Sequence, residues 1–310
     1  MTKLSIVSSI EKIYYVVSSL NQFAIERKNF VITSKSNPLI KRFRSFKDNL
    51  PAKEKGYFCI EGTHLIEEFL KLGINPLKII ATEEWLVKNN YLINHLDVEI
   101  ISQVSKETLR SAVSTRNPDG VAAIVEKSSL KECTLEKEDD FLLVLDRIQD
   151  PGNLGNLFRT ALAAGVNKVL LGGGASPFNQ KVLRSSCGSI FHIPFRRIEG
   201  GEEEICDQLI DFLRDISKKR FQIVLAVRNN KFSKKTPKPY WEYNWSKPTA
   251  LILGNEGSGI HNKIQEAFRE TITIPHSELV ESLNVACVAV PLLLERKRRI
   301  LTSFSENKSD

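Results

Sequence analysis

Three short segments hold the side chains of this chain best suited to chemistry. The first is Asp150-Pro151-Gly152-Asn153-Leu154-Gly155, with Arg159 six residues beyond Asn153. The second is Gly254-Asn255-Glu256-Gly257-Ser258-Gly259, and the third runs from Ile274-Pro275 to Ser282-Leu283-Asn284. Amides, hydroxyls and a carboxylate need hydrogen-bond partners once they leave water, and glycines let backbone come close to a ligand. Such a set suits the binding and orientation of a polar molecule. The spacing argues against two common nucleotide loops. The glycines read G-x-x-G-x-G instead of the dinucleotide pattern G-x-G-x-x-G, and Ile260 and His261 stand where a phosphate loop needs Lys and Ser or Thr. Taken alone, the glycine loop reads as a tight turn.

The elements that must position these segments follow from the apolar pattern. Phe141-Leu142-Leu143-Val144-Leu145 is short and oily enough for a strand buried on both faces. After Asp150-Pro151-Gly152-Asn153, the residues Leu154, Leu157, Phe158, Ala161 and Leu162 recur at helical spacing and stop at Gly165. The alternation continues with strand 168–171, helix 180–187, strand 191–195, helix 202–216, strands 221–227 and 250–253, helix 262–268, strand 271–274 and helix 279–296. Strands separated by helices predict an α/β fold with a mainly parallel sheet covered on both faces. In such sheets ligands gather at the carboxyl ends of the strands, where all three segments would lie. One site is therefore expected.

Residues 32–126 read as a smaller α/β unit, with strand Tyr57-Phe58-Cys59-Ile60, a helix over 63–72 closed by Gly73, and strand Leu77-Lys78-Ile79-Ile80. Between 127 and 140 the composition turns to Lys, Glu, Asp and Ser, which reads as an exposed connector. A length of 310 residues suits two domains, and 42% hydrophobic with 26% charged residues is the composition of a globular protein that folds in water.

Lys and Arg exceed Asp and Glu by 44 to 37, in two local patches. One holds Lys35, Lys41, Arg42, Arg44, Lys47, Lys53 and Lys55. The other, from Arg228 to Lys247, is interleaved with Phe232, Tyr240, Trp241, Tyr243 and Trp245. Cations beside flat aromatic faces suit a polyanion with exposed bases, and a solvated basic surface is the plain alternative. Five cysteines at wide spacing predict neither a disulfide framework nor a zinc site, and five scattered histidines predict no metal. The uncharged run 13–25 is too short and polar to span a bilayer, so no membrane partner is expected.

In this order and at these separations, D-P-G-N-x-G-x-x-x-R, G-N-E-G-x-G and I-P-x(6)-S-L-N resemble the three motifs of the SpoU (TrmH-like) RNA ribose 2′-O-methyltransferases of the SPOUT superfamily. The resemblance covers residues 141–296. Ser34-Lys35-Ser36-Asn37-Pro38-Leu39-Ile40-Lys41 and Phe58-Cys59-Ile60-Glu61-Gly62 resemble the ribosomal-protein-like RNA-binding domain that precedes the catalytic domain in many members. The implied organisation is an extension (1–30), an RNA substrate-binding domain (31–127), a linker (128–140), a methyltransferase domain (141–300) and a polar tail (301–310). The resemblance further implies a C-terminal deep trefoil knot, S-adenosylmethionine bound in it, a homodimer, a cytoplasmic location and ribosomal RNA as substrate. A transfer-RNA substrate stays open, as does an RNA-binding protein that keeps the fold without catalysis. Targeting by residues 1–29 is also open.

Carried over by position, the resemblance gives Arg159, Asn153, Glu256, Ser282 and Asn284 catalytic places, and puts the cofactor against Gly254, Asn255, Gly257, Gly259, Ile274, Pro275 and Leu283. No histidine or carboxylate pair is offered to take the hydroxyl proton. A guanidinium is a poor base and a good bidentate grip on phosphate, so Arg159 is expected to hold phosphate and stabilise the transition state. Asn153 is expected to cap a helix and Glu256 to brace the glycine loop. His276 stands where Met is common and Glu278 where a small residue is common, and Ala286-Cys287 also depart from the pattern. The stretch 181–188, with Arg184, Ser185 and Ser186, is expected to help bind RNA.

Overall fold

A computed structural model describes residues 31–47, 56–131, 133–228 and 236–306. The extension 1–30, Lys53 and Lys55 of the first basic patch, and Phe232 of the second lie outside the described residues. The chain divides into two compact units, one of residues 1–66 and 75–126, the other of residues 67–74 and 127–310.

Over residues 31–126, α1 (Pro38–Ser45), β1 (Tyr57–Glu61), α2 (Thr63–Leu70, which passes into the second unit at Glu67), β2 (Lys78–Ala81), α3 (Glu83–Lys88), α4 (Asn90–Ile93), β3 (Ile101–Gln103), α5 (Lys106–Ala112) and β4 (Val121–Glu126) follow in order. The strands form a mixed sheet in the order β1-β4-β2-β3. In it β4 runs antiparallel to β1 and β2, while β3 is parallel to β2. Ile40 and Phe43 of α1 pack with Leu109 and Ala112 of α5 over Cys59, Ile80, Ala122 and Ile124 of the sheet.

The second unit runs β5 (Phe141–Asp146), α6 (Pro151–Ala164), β6 (Lys168–Gly172), α7 (Gln180–Ser186), β7 (Phe195–Ile198), α8 (Glu202–Lys219), β8 (Gln222–Ala226), β9 (Lys238–Pro239), β10 (Thr249–Leu253), α9 (Asn262–Ala267), β11 (Thr271–Thr273) and α10 (Val285–Glu306). Its seven strands are all parallel, in the order β7-β6-β5-β10-β8-β11-β9. Every residue of β5 and β10 is buried, as their unbroken apolar runs require. From β5 the chain goes first to β6 and β7 on one side, and later to β10 on the other, where Leu253 pairs with Leu145. That reversal opens a crevice beyond the carboxyl ends of β5 and β10. Among the described residues no helix is long and apolar enough to cross a membrane.

Several sequence expectations need correction. The last helix begins at Val285 and not at residue 279, because the Asn284 side chain accepts from the N–H groups of Ala286 (2.9 Å) and Cys287 (3.3 Å) and so caps it. The strand expected over 191–195 lies at Phe195–Ile198. Pro194, which has no N–H, precedes it, and a 3-10 turn occupies Ser189–Phe191. The aromatic patch is largely a core: Trp245 and Tyr243 are buried and stack edge to face at 5.1 Å, while Trp241 stays exposed. Burial drives the Tyr243 hydroxyl far above the ordinary tyrosine range. Part of the expected connector packs on the second unit, where Asp139 is buried and pairs with Lys168 at 3.7 Å.

Candidate active site

The strand β5 ends in Asp146, which is 1% exposed and accepts from the His261 N–H at 2.8 Å, tying the start of α9 to the crevice. Arg147 follows at φ 56, a left-handed value uncommon outside glycine. Its carbonyl accepts from the Asn255 side chain at 2.8 Å. Neither residue was singled out in the sequence, although a charged pair ending a buried strand was the available signal.

Helix α6 begins at Pro151, and Asp150 is its cap, accepting from the Asn153 N–H at 2.8 Å. The expectation that Asn153 caps the helix is therefore corrected. Freed from that duty, the Asn153 amide donates to Glu256 Oε1 at 3.0 Å, and its oxygen accepts from Asn284 Nδ2 at 2.9 Å. Glu256 also accepts from the backbone N–H groups of Gln149 (3.0 Å) and Asp150 (3.1 Å). One chain of side-chain hydrogen bonds, Glu256 to Asn153 to Asn284, thus joins all three segments.

Burial alone would raise the Glu256 carboxyl. The hydrogen bonds from Asn153, Gln149, its own N–H and Asp150 more than offset this and hold it below the usual carboxylate range. A carboxylate so engaged is a brace and a poor proton acceptor.

The second segment owes its shape to its own backbone. Asn255 and Gly259 exchange hydrogen bonds at 3.1 and 3.0 Å, and the Asn255 oxygen accepts from the N–H groups of Gly257 and Ser258. A Cβ on Gly254 would lie 2.2 Å from the Ile260 nitrogen and 2.3 Å from the Gly259 carbonyl carbon, so glycine is required for the loop to close on itself. Gly155 serves a similar end on α6, since a Cβ there would lie 1.9 Å from Ser185 Oγ and 2.6 Å from the Val182 oxygen of α7.

Beyond this loop lies a cavity of about 300 Å³. Gly254, Asn255, Glu256, Gly257 and Gly259 form one wall, Ile274, His276, Ser282 and Leu283 another, and Leu253, Ile260, Val285, Val288 and Leu292 an apolar lining. Six of the seven residues expected around a cofactor line it, and Pro275 does not. The exposed segment 275–284 arches along its mouth, where Arg228 pairs with Glu281 at 3.1 Å. His276 Nδ1 donates to the Ile274 carbonyl at 2.8 Å, which fixes its ring at the edge.

Arg159 is not brought to this cavity. It is exposed on α6, and its Nη1 lies 3.7 Å from the Cys187 sulfur. Within 181–188, Ser186 is buried and Ser185 bonds helix carbonyls, while Lys181 and Arg184 face solvent. Lys181 pairs with Asp150 at 2.9 Å.

A cavity at the carboxyl edge of an all-parallel sheet, with the glycine loop as one wall and Glu256 linking it to a polar network, is the ligand-site architecture of an α/β protein. Residues 140–294 match the SpoU rRNA Methylase family, and residues 37–123 match the MRM3-like substrate binding domain. The 23S rRNA (guanosine(2553)-2′-O)-methyltransferase RlmP of Bacillus subtilis is 35% identical over 84% of this chain and 97% of its own length. An uncharacterised tRNA/rRNA methyltransferase of Synechocystis is 34% identical over 86% and 93%. Among solved structures, the AdoMet-bound rRNA methyltransferase from Sinorhizobium meliloti superposes with a TM-score of 0.72 at 25% identity, covering 87% of this chain and 98% of that one. The chain belongs to the SpoU rRNA methylase family of RNA 2′-O-methyltransferases.

Proposed function

We propose that the protein methylates a ribose 2′-hydroxyl of ribosomal RNA, using S-adenosylmethionine held in the cavity between Gly254, Ile274 and Leu283. The observation that carries this reading is the Glu256–Asn153–Asn284 hydrogen-bond chain, which runs outward from the cavity wall at Glu256 to Asn153 and Asn284, neither of which lines the cavity itself. The cavity fits the cofactor chemically, with apolar walls for a flat base and exposed backbone groups at its rim. When bound, the cofactor supplies an electrophilic methyl group on a sulfonium. The relative from Bacillus subtilis, named for a 23S rRNA nucleoside, supports ribosomal RNA over transfer RNA.

In this reading the chain's own residues orient and desolvate. Asn153 and Asn284 present amides at the point where the ribose would enter, and Ser282 and Leu283 close over it. Glu256 holds the Asn153 amide in place. Arg159 lies outside this cavity, and in this reading it is the partner copy's guanidinium that grips a phosphate of the target nucleotide with its planar fork and steadies charge at the reacting oxygen.

The chain acts as a cytoplasmic homodimer, with its C-terminal segment threaded as a deep trefoil knot, residues 31–127 as the RNA-binding domain and residues 128–140 as the linker. Dimerisation is supported by an exposed apolar patch: Leu162 of α6 is 39% exposed, and Val290 and Leu294 of α10 are 42% and 40% exposed. Lys297, on the same face of α10, reaches the Ala163 carbonyl next to Leu162 at 2.7 Å, and Arg159 lies one turn before Leu162 on α6.

Two measurements test the reading. Calorimetry should detect S-adenosylmethionine binding to the full chain, and ribose-methylation mapping of RNA from cells with and without the protein should differ at a ribosomal position. Absence of cofactor binding would leave only an RNA-binding protein.

A further inference from the structure

We propose that a second cavity, in the first unit, receives one unpaired nucleotide extruded from the RNA substrate, with Arg116 and Asn117 as the residues that select it. This rests on the RNA methyltransferase reading above. The cavity has a volume of about 670 Å³. Its floor is the buried pair Trp85 and Asn89, and its rim carries Lys88, Lys106, Arg110 and Arg116, all exposed, against Glu84 and Asp119. Lys106 and Glu84 form an ion pair across the rim at 2.6 Å, and Asp119 is taken up by the Thr63 N–H at 2.8 Å. The remaining field is cationic.

The rim loop 114–120 is built to keep its shape. Glu61, 8% exposed, accepts four hydrogen bonds from it: from the N–H and hydroxyl of Ser114 (2.7 and 2.9 Å) and from those of Thr115 (3.1 and 2.9 Å). At the other end Gly120, at φ +115, lies so close to the floor that a Cβ would sit 2.8 Å from the Trp85 Cβ. The loop is thus fixed at both ends, while Arg116 and Asn117 between them stay exposed. Trp85 donates to Thr63 Oγ1 at 2.7 Å, so the floor is fixed as well.

A buried carboxylate spent on four bonds to one loop is more than a surface turn requires, and it preorganises the groups that the loop carries. The shape of the site then selects the ligand. A concave pocket cannot enter a groove of duplex RNA, and a base can reach its floor only if it has left the helix. Cations around the rim meet the phosphates on either side of that base.

The test is binding of the full chain to hairpin RNAs with a bulge of randomised sequence, to the same hairpins with the bulge closed, and to mixed ribonucleoside monophosphates. The bulged pool is expected to bind at least about 10-fold tighter than the closed hairpins. The Arg116→Ala, Asn117→Ala double variant should remove that preference and lower the salt slope by about one unit. Its affinity for S-adenosylmethionine should stay unchanged. Equal binding of bulged and closed hairpins, free nucleotides binding as well as the bulged pool, or a preference surviving in the double variant would each overturn the proposal. Loss of cofactor binding by the unaltered chain would instead overturn the functional reading on which it rests.

Discussion

Glu256 is the residue on which the candidate site turns, because its carboxylate joins the first segment's backbone to the Asn153 amide. The resemblance of the three segments to the family motifs pointed to Asn153, Glu256 and Asn284, and the structure joins them in a chain in which Asn153 bonds both of the others. It did not point to Asp146 or Arg147, whose importance lies in a buried contact with His261 and in a left-handed backbone, neither of which leaves a spacing signature. Replacing Glu256 with Gln turns one acceptor toward N–H donors as an amide nitrogen, and should destabilise the fold by about 1–3 kcal/mol near neutral pH. The pH dependence has a definite sign. Because the folded carboxyl titrates below the unfolded one, its contribution is present above the unfolded value and is lost as pH falls through the folded value. The gap in melting temperature between Glu256→Gln and the parent should therefore narrow as the pH is lowered through the range in which the folded carboxyl takes up its proton. A constant gap would mean that the charge on Glu256 contributes nothing.

At the scale of elements, strands and helices were legible where an apolar period was long, as in β5, β10 and α6, and poorly legible where a cap or proline sets the boundary. Asn284 is such a case: read as part of a helix, it is in fact the cap that starts α10 and the partner of Asn153. Asn284→Ala should cost about 1 kcal/mol through the lost cap and should reduce methyl transfer more than cofactor affinity, which activity assays and calorimetry on one preparation would separate. Gly155 is a case where the residue was legible and its reason was not. It was read only as part of the first motif and given no role, whereas the structure gives it to the packing of α7 on α6. Gly155→Ala should destabilise by about 1–3 kcal/mol. Adding Ser185→Ala should restore only part of this, since the Val182 carbonyl, 2.6 Å from the new Cβ, is backbone and cannot move aside alone. Full restoration in chemical denaturation would assign the clash to the serine side chain.

At the scale of the whole molecule, the distance between Arg159 and the cavity is a problem that one copy of the chain does not solve. Arg159 is exposed on α6, absent from the cavity wall, and three residues from Leu162 at the edge of an apolar patch. An isologous dimer across that patch places each copy's Arg159 in the interface, where it can serve the cavity of the other copy. Leu294→Asp should then shift sedimentation from dimer to monomer and abolish methylation while cofactor binding persists. Complementation gives a sharper result. Arg159→Ala and Asn284→Ala chains, each inactive alone, should recover activity when unfolded and refolded together. Half of the randomly formed dimers are mixed, and each mixed dimer holds one site with both residues intact, so roughly a quarter of wild-type activity is expected. If Arg159 acted within its own copy, every site would lack one of the two residues and the mixture would stay as inactive as its parts.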